Sequence, residues 1–211
     1  MNRATGTGGS RIGCDSSPGP ARHRTFPSSL LSCLVVGVLA VACPARETHA
    51  AERAATGVDE VKAAFLYKFA GYVEWPPDSF AQSGVPFTIA VVGAEPLATE
   101  LREVVKERTV HDRPIEVRRL ESGEPLAGVH MLFVGEDQHA RLEELVRTAQ
   151  PRSILTVTEF EGALEAGSVI NFVVSERRVR FEISIDSAEK SRLRLSSRLL
   201  EVAQRVLPGT G

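Results

Sequence analysis

The chain has 211 residues, with 25 basic against 27 acidic side chains and a formal net charge of −2. At 43% hydrophobic and 25% charged, its composition is that of a folded domain and excludes disordered, collagen-like and coiled-coil chains. A weakly acidic chain also lacks the basic surface that nucleic-acid binding requires, so no nucleic-acid partner is expected.

The first fifty residues read differently from the rest. They carry Arg3, Arg11, Arg22, Arg24 and Arg46 against Asp15 and Glu47, which leaves 20 basic and 25 acidic residues in 51–211, a net charge of −5. Residues 1–29 are rich in Gly, Ser, Pro and Arg, and a 13-residue apolar run, Leu30 to Ala42, follows Arg22-His23-Arg24. A basic start before a short apolar core is the layout of an export signal, and the run is shorter than the roughly 20 residues of a spanning helix. Two processing sites compete. Thr48-His49-Ala50 is a small-residue cleavage site that leaves a mature chain from Ala51, whereas Ala40-Val41-Ala42-Cys43 loosely resembles a lipobox that would lipidate Cys43. The predicted organisation is an export signal with a disordered lead over 1–50 and one domain over 51–211. All three cysteines, Cys14, Cys33 and Cys43, precede that domain, which excludes thiol catalysis, disulfides and cysteine-zinc sites within it.

Thr56 with Asp59 predicts a helix start, and Val58, Val61, Phe65, Phe69 and Tyr72 recur at spacings of three and four as its inward face. Trp75-Pro76-Pro77 ends it. Phe87–Val92 is predicted as a buried strand, Pro96 to Lys106 as a helix, and Pro114 to Leu120 as a half-exposed alternating strand. His130–Val134 is a further buried strand, 139–149 a helix, Ile154–Val157 another strand, and 169–174 with 179–185 a hairpin. A last helix is predicted from Asp186 to Leu207, with Asp186 and Glu189 as its cap and Lys190, Arg192, Arg194, Arg198 and Arg205 on its outer face. Strand–helix alternation over 87–157 implies right-handed crossovers. The predicted fold is α/β: a single three-layer domain with a mainly parallel sheet, an antiparallel C-terminal hairpin and flanking helices.

Chemistry-bearing patterns are sparse. Gly93-Ala94-Glu95-Pro96 joins a strand to a helix, where anions often bind, but lacks the spaced glycines of a dinucleotide loop and the Lys-Ser/Thr of a P-loop. His111, His130 and His139 have no metal-ligand spacing, and the pairs Glu136-Asp137, Glu143-Glu144 and Glu159-x-Glu161 read most simply as solvated caps and faces. No Gly-x-Ser-x-Gly elbow is present. The expectation is a protein without catalytic residues, metal or cofactor. Trp75, with Tyr67 and Tyr72, carries the polar-handled aromatic surface, which suits either an interface or a core rim.

The stretch Val61-Lys62-Ala63-Ala64-Phe65-Leu66-Tyr67-Lys68-Phe69, continuing to Val73-Glu74-Trp75-Pro76, resembles the opening of the YfiR-like family. The resemblance continues through Gly93, Ile154–Val157, Val169-Ile170-Asn171-Phe172, Val179–Ile183 and Leu195-Ser196-Ser197-Arg198-Leu199-Leu200-Glu201-Val202-Ala203. It implies a non-catalytic periplasmic protein that represses an inner-membrane diguanylate cyclase, or another sensor receptor, by binding its periplasmic portion and so lowering cyclic di-GMP and biofilm formation. It also implies, as a further partner, an outer-membrane lipoprotein that relieves repression; whether a second copy forms a homodimer stays open. Ser184 stands where the family often has Asn, Phe160-Glu161-Gly162-Ala163 departs from the family loop, and the cysteine pairs of some relatives are missing.

Tyr72 and Trp75, with the basic residues Arg194, Arg198 and Arg205, are the expected partner-binding elements. The rival expectation is a small-ligand sensor. In an open parallel sheet the ligand crevice lies beyond the carboxyl ends of the strands, which here selects Gly93, Ala94, Glu95, Gly135, Glu136 and Thr158.

Overall fold

The computed structural model describes residues 45–80, 84–121, 123–176 and 178–209, with side chains from Gly57 onward. The expected export run and Cys43 lie outside the described residues. Helix α1 (Ala45–Tyr72) passes without a break through Thr56, so the Thr-x-x-Asp pattern falls inside a helix rather than at its start. It leads into β1 (Val73–Glu74), a 3-10 turn (Pro77–Phe80), β2 (Phe87–Val92) and α2 (Glu95–Val105). Then come β3 (Thr109–Val110), β4 (Arg113–Arg119), β5 (Met131–Val134), a 3-10 turn (Glu136–Arg141) and α3 (Leu142–Ala149). The chain closes with β6 (Leu155–Thr158), β7 (Ile170–Ser175), β8 (Arg178–Ser184), α4 (Ile185–Lys190), β9 (Arg194–Leu195), α5 (Ser197–Glu201) and β10 (Arg205–Leu207). Among these described elements, no helix is long and apolar enough to cross a membrane.

The main sheet runs in the order β10-β8-β7-β6-β5-β2-β4-β3. Strands β4, β2, β5, β6 and β7 are mutually parallel, β8 turns back antiparallel to β7, and β10 lies parallel to β8. The parallel centre is buried on both faces, which is why β5 is apolar throughout and β2 apolar but for Thr88, while β6 alternates and buries Thr156 and Thr158 as well. On β2, Ile89 and Val91 pack with α1 and α2, while Ala90 and Val92 pack with α3. This is the expected three-layer α/β fold.

Two readings of local structure are corrected. The buried stripe of α1 is Lys62, Ala63, Leu66, Phe69 and Ala70, rotated from the expected one, so Val61 and Tyr72 are 43% and 39% exposed. Ala63 and Ala70 are fully buried in that stripe, and Phe65 and Phe69 complete an aromatic cluster with Phe172 and Phe181 at centroid distances of 5.0 to 6.0 Å.

The second correction concerns the expected last helix over 186–207, which breaks into four pieces. Ser184, not Asp186, caps α4 by accepting the Ser187 N–H. Arg192 takes a left-handed φ of +55° that ends the helical turn. Leu195 and Arg194 then pair with Val73 and Glu74 of β1, and Ser196 caps the short α5. Long-range strand pairing has overridden a helical apolar period, and the Leu193-Arg194-Leu195 alternation is its local trace.

Candidate functional site

At the carboxyl edge of the sheet the order reverses between β4 and β5 on either side of β2, the usual place for a ligand crevice. Here the main chain itself occupies it. Gly93 has φ +69°, and a Cβ at Gly135 would stand 2.1 Å from the Gly93 carbonyl oxygen. The turn after β2 and the turn after β5 therefore press backbone against backbone, and Gly135 N–H donates to Val92 O at 2.9 Å. A Cβ at Gly93 would in turn meet Cγ of Gln138 at 2.7 Å. Both positions need glycine for close packing, not for access to a phosphate.

The six expected lining residues are accordingly not brought to one crevice. Gly93, Ala94 and Glu95 together border a shallow depression of about 490 Å³ with Arg119, Leu120, Glu121 and Glu124, in which Glu95 is ion-paired with Arg119. Glu136 opens the 3-10 turn on the β5 side of the glycine contact. Thr158 is wholly buried, so it does not line the surface. Its hydroxyl lies 2.8 Å from Asn171 Oδ1 and 3.1 Å from the Ser168 hydroxyl, tying β6 to β7.

The five expected docking residues are also dispersed. Trp75 is a core residue: its indole N–H donates to His130 O at 3.2 Å, and its ring meets Phe87 edge-on at 5.0 Å. The proline stop after α1 turns it inward, which leaves no docking face on the ring. Tyr72 and Arg194 do come together, because the register of β1 and β9 sets Glu74 opposite Arg194 and Ser196 N–H donates to Tyr72 O at 3.0 Å. Arg194 is 86% exposed at its side chain, with Glu74 at 3.8 Å as its ion-pair partner among the described residues. Arg198 is exposed on α5. Arg205 belongs elsewhere. It makes a bidentate pair with Glu182 (2.9 and 2.8 Å) on the sheet face turned away from α1, and that pairing holds its guanidinium above the ordinary value.

Two buried polar groups stand out, Lys62, which the sequence reading passed over, and His130, which it weighed only as a metal ligand. Lys62 is 8% exposed in the inward stripe of α1, hydrogen-bonded to Glu159 and 3.9 Å from Asp59. Burial raises the Asp59 carboxyl above its ordinary value, Lys62 opposes this, and Glu159 and Glu100 add to it. At the opposite edge, His130 lies between Thr88 and Ser79 and stacks on Phe80 and Phe87 at 4.8 and 5.1 Å. A lysine within an apolar run is the one sequence signal for the first group; nothing local marks the second. Among the described residues no cluster of His, Cys, Asp and Glu is set to hold a metal ion.

No curated protein matches the chain. A solved structure, an ABC domain in complex with L-Trp from Streptococcus pneumonia, shares 12% identity at a TM-score of 0.43. The match covers 57% of this chain and 55% of that one, so the chain spans about half its length. A family model described as YfiR/HmsC-like matches residues 59–204, from the Asp59–Lys62 turn of α1 to the segment before β10. The chain therefore belongs to the YfiR/HmsC-like family.

Proposed function

We propose that this chain is an exported, non-enzymatic regulator that restrains an inner-membrane diguanylate cyclase, or a related receptor, by binding its periplasmic portion. Family membership over residues 59–204 is the observation that carries this reading. The exposed β1–β9 ribbon, with Tyr72, Arg194 and the neighbouring Arg198, is the contact surface it favours. It presents an aromatic and two arginines, residue types enriched at interaction hot spots.

Restraint of this kind is a population shift: the regulator must bind the inactive receptor more tightly than the active one. Moving a receptor from almost wholly on to almost wholly off takes a preference of about 10⁴-fold, or about 5.5 kcal/mol. The test is cyclic di-GMP in the native host after deletion of the gene. A rise that is reversed by the full chain, but not by a chain lacking residues 1–50, supports the reading. An unchanged level under varied growth conditions overturns it. Tyr72→Ala with Arg194→Glu is expected to leave the melting temperature in place and abolish complementation, since neither side chain is buried. Full complementation by that variant would remove the ribbon as the contact surface.

A further inference from the structure

Strand β8 is covered along only part of its outer edge. On one side β7 pairs with it from Arg178 to Ile183, whereas on the other β10 pairs with Glu182, Ile183 and Ser184 alone. Two hydrogen bonds fix which way its backbone groups point. Ser184 N–H donates to Val169 O at 2.9 Å, on the β7 side, and Gln204 N–H donates to Phe181 O at 2.8 Å, on the β10 side. Backbone groups alternate sides along a strand, so Val179 turns its N–H and C=O away from β7. No strand of the sheet lies beside it there.

Two hollows flank this open stretch. On the α1 face, Val58, Val61, Phe65, Val174 and Val179 line one of about 780 Å³. Beside Arg178 and Arg180, where the chain turns from α5 into β10, lies another of about 530 Å³ bordered by Val202. Four large apolar side chains stand exposed among the described residues, and three of them, Val61, Val174 and Val202, border these hollows. Exposed apolar surface concentrated in this way marks an interaction site.

The two faces of β8 select different side chains. Val179 and Phe181 face α1, so Arg178, Arg180 and Glu182 face the other way. Glu182 stands directly across the ladder from Arg205 and makes the bidentate pair with it. Arg178 and Arg180, on that same face, are exposed and form no salt bridge among the described residues; Glu176 and Glu201 border their hollow without joining either. A strand that continued the ladder would set acidic side chains opposite the two arginines, as β10 sets Arg205 opposite Glu182. Its alternate side chains would lie over the apolar hollow. A second copy is the wrong occupant. Pairing β8 with itself about an axis at Val179 brings Arg178 against Arg180 of the copy, and like charges directly opposite destabilise a sheet.

We propose that the Arg178–Phe181 edge of β8 accepts an extended segment of another protein, one that alternates acidic and apolar residues, as an added strand. This edge is distinct from the β1–β9 ribbon, and the proposal does not depend on the regulatory reading.

The test is titration of the ¹⁵N-labelled protein with a synthetic octapeptide of alternating Glu and Val, with alternating Lys and Val as the control of opposite charge. The Glu-Val peptide is expected to shift the Val179 and Phe181 amide resonances saturably and to slow their exchange with deuterium. The Lys-Val peptide, and a Glu-Val peptide with an N-methylated backbone, should do neither. Arg178→Glu with Arg180→Glu should weaken Glu-Val binding by about tenfold and bring on binding of the Lys-Val peptide. Both side chains are exposed, so the melting temperature of that variant should not change. No saturable shift by about 1 mM Glu-Val peptide overturns the proposal. So does equal binding of the two charge types, full binding of the N-methylated peptide, or an undiminished response in the double variant. A dimer formed through β8 that excludes the peptide would overturn it as well.

Discussion

His130 is a histidine that its surroundings hold neutral. The Thr88 N–H donates to Nδ1 at 3.1 Å, so Nε2 carries the proton and donates to Ser79 O at 3.2 Å. Burial pushes the imidazole below its ordinary value of 6.5; the Ser79 bond opposes this, and Arg113 adds to it. Because the folded pKa is depressed, the unfolded chain takes up the proton first as pH falls. The stability His130 contributes is thus complete above the unfolded value and is lost as pH drops through the lower folded one. The urea midpoint is expected to fall between about pH 7.5 and about pH 5.5, and His130→Gln should flatten that slope. Parallel slopes in the two proteins would assign the effect to other groups.

Lys62 gives a second test at this scale. Removing one partner of a buried ion pair strands the other, so Lys62→Met is expected to cost about 3 kcal/mol, while Lys62→Met with Glu159→Leu should recover most of it. Denaturant unfolding of the four proteins of that cycle measures the coupling. A double variant no more stable than the single one would mean that the pair is not the unit that matters.

At the scale of elements, the central strands were legible because parallel strands covered on both faces are rich in apolar and β-branched residues, as β2, β5 and β6 are. The α1 face was legible only in part. Large apolar residues mark a stripe well, but two of the five buried positions of α1 are Ala63 and Ala70, and small residues carry little weight in a hydrophobic period. The segment after β8 was misread for a different reason: its leucines keep a helical spacing, while the pairings of β9 with β1 and of β10 with β8 are made to residues far away in sequence. Ser184 and Ser196 are the true caps there. Ser184→Ala and Ser196→Ala are each expected to lower stability by about 1 kcal/mol in denaturant unfolding. If neither does, the short helices hold without their caps. The expected sites suffered most, because a crevice filled by backbone at Gly93 and Gly135, and an indole turned inward at Trp75, are results of tertiary packing that no spacing announces.

At the scale of the molecule, β10 determines whether one edge of the main sheet is covered. It is short and begins with Arg205, features that discourage edge-to-edge pairing, and it shields the longer β8. Deleting residues 205–211 is therefore expected to lower the melting temperature and to produce oligomers on size-exclusion chromatography. A monomer of unchanged stability would show that β8 does not need its cover.

The β1–β9 ribbon has a further consequence, for the time at which the fold can form. It joins Val73 to Leu195 across about 120 residues, and closing so long a loop is slow because its entropy must be lost before the contact rewards it. The N-terminal helix and the last strands thus wait for one another. A chain threaded through a secretion channel N-terminus first cannot complete this architecture until its final segment has emerged.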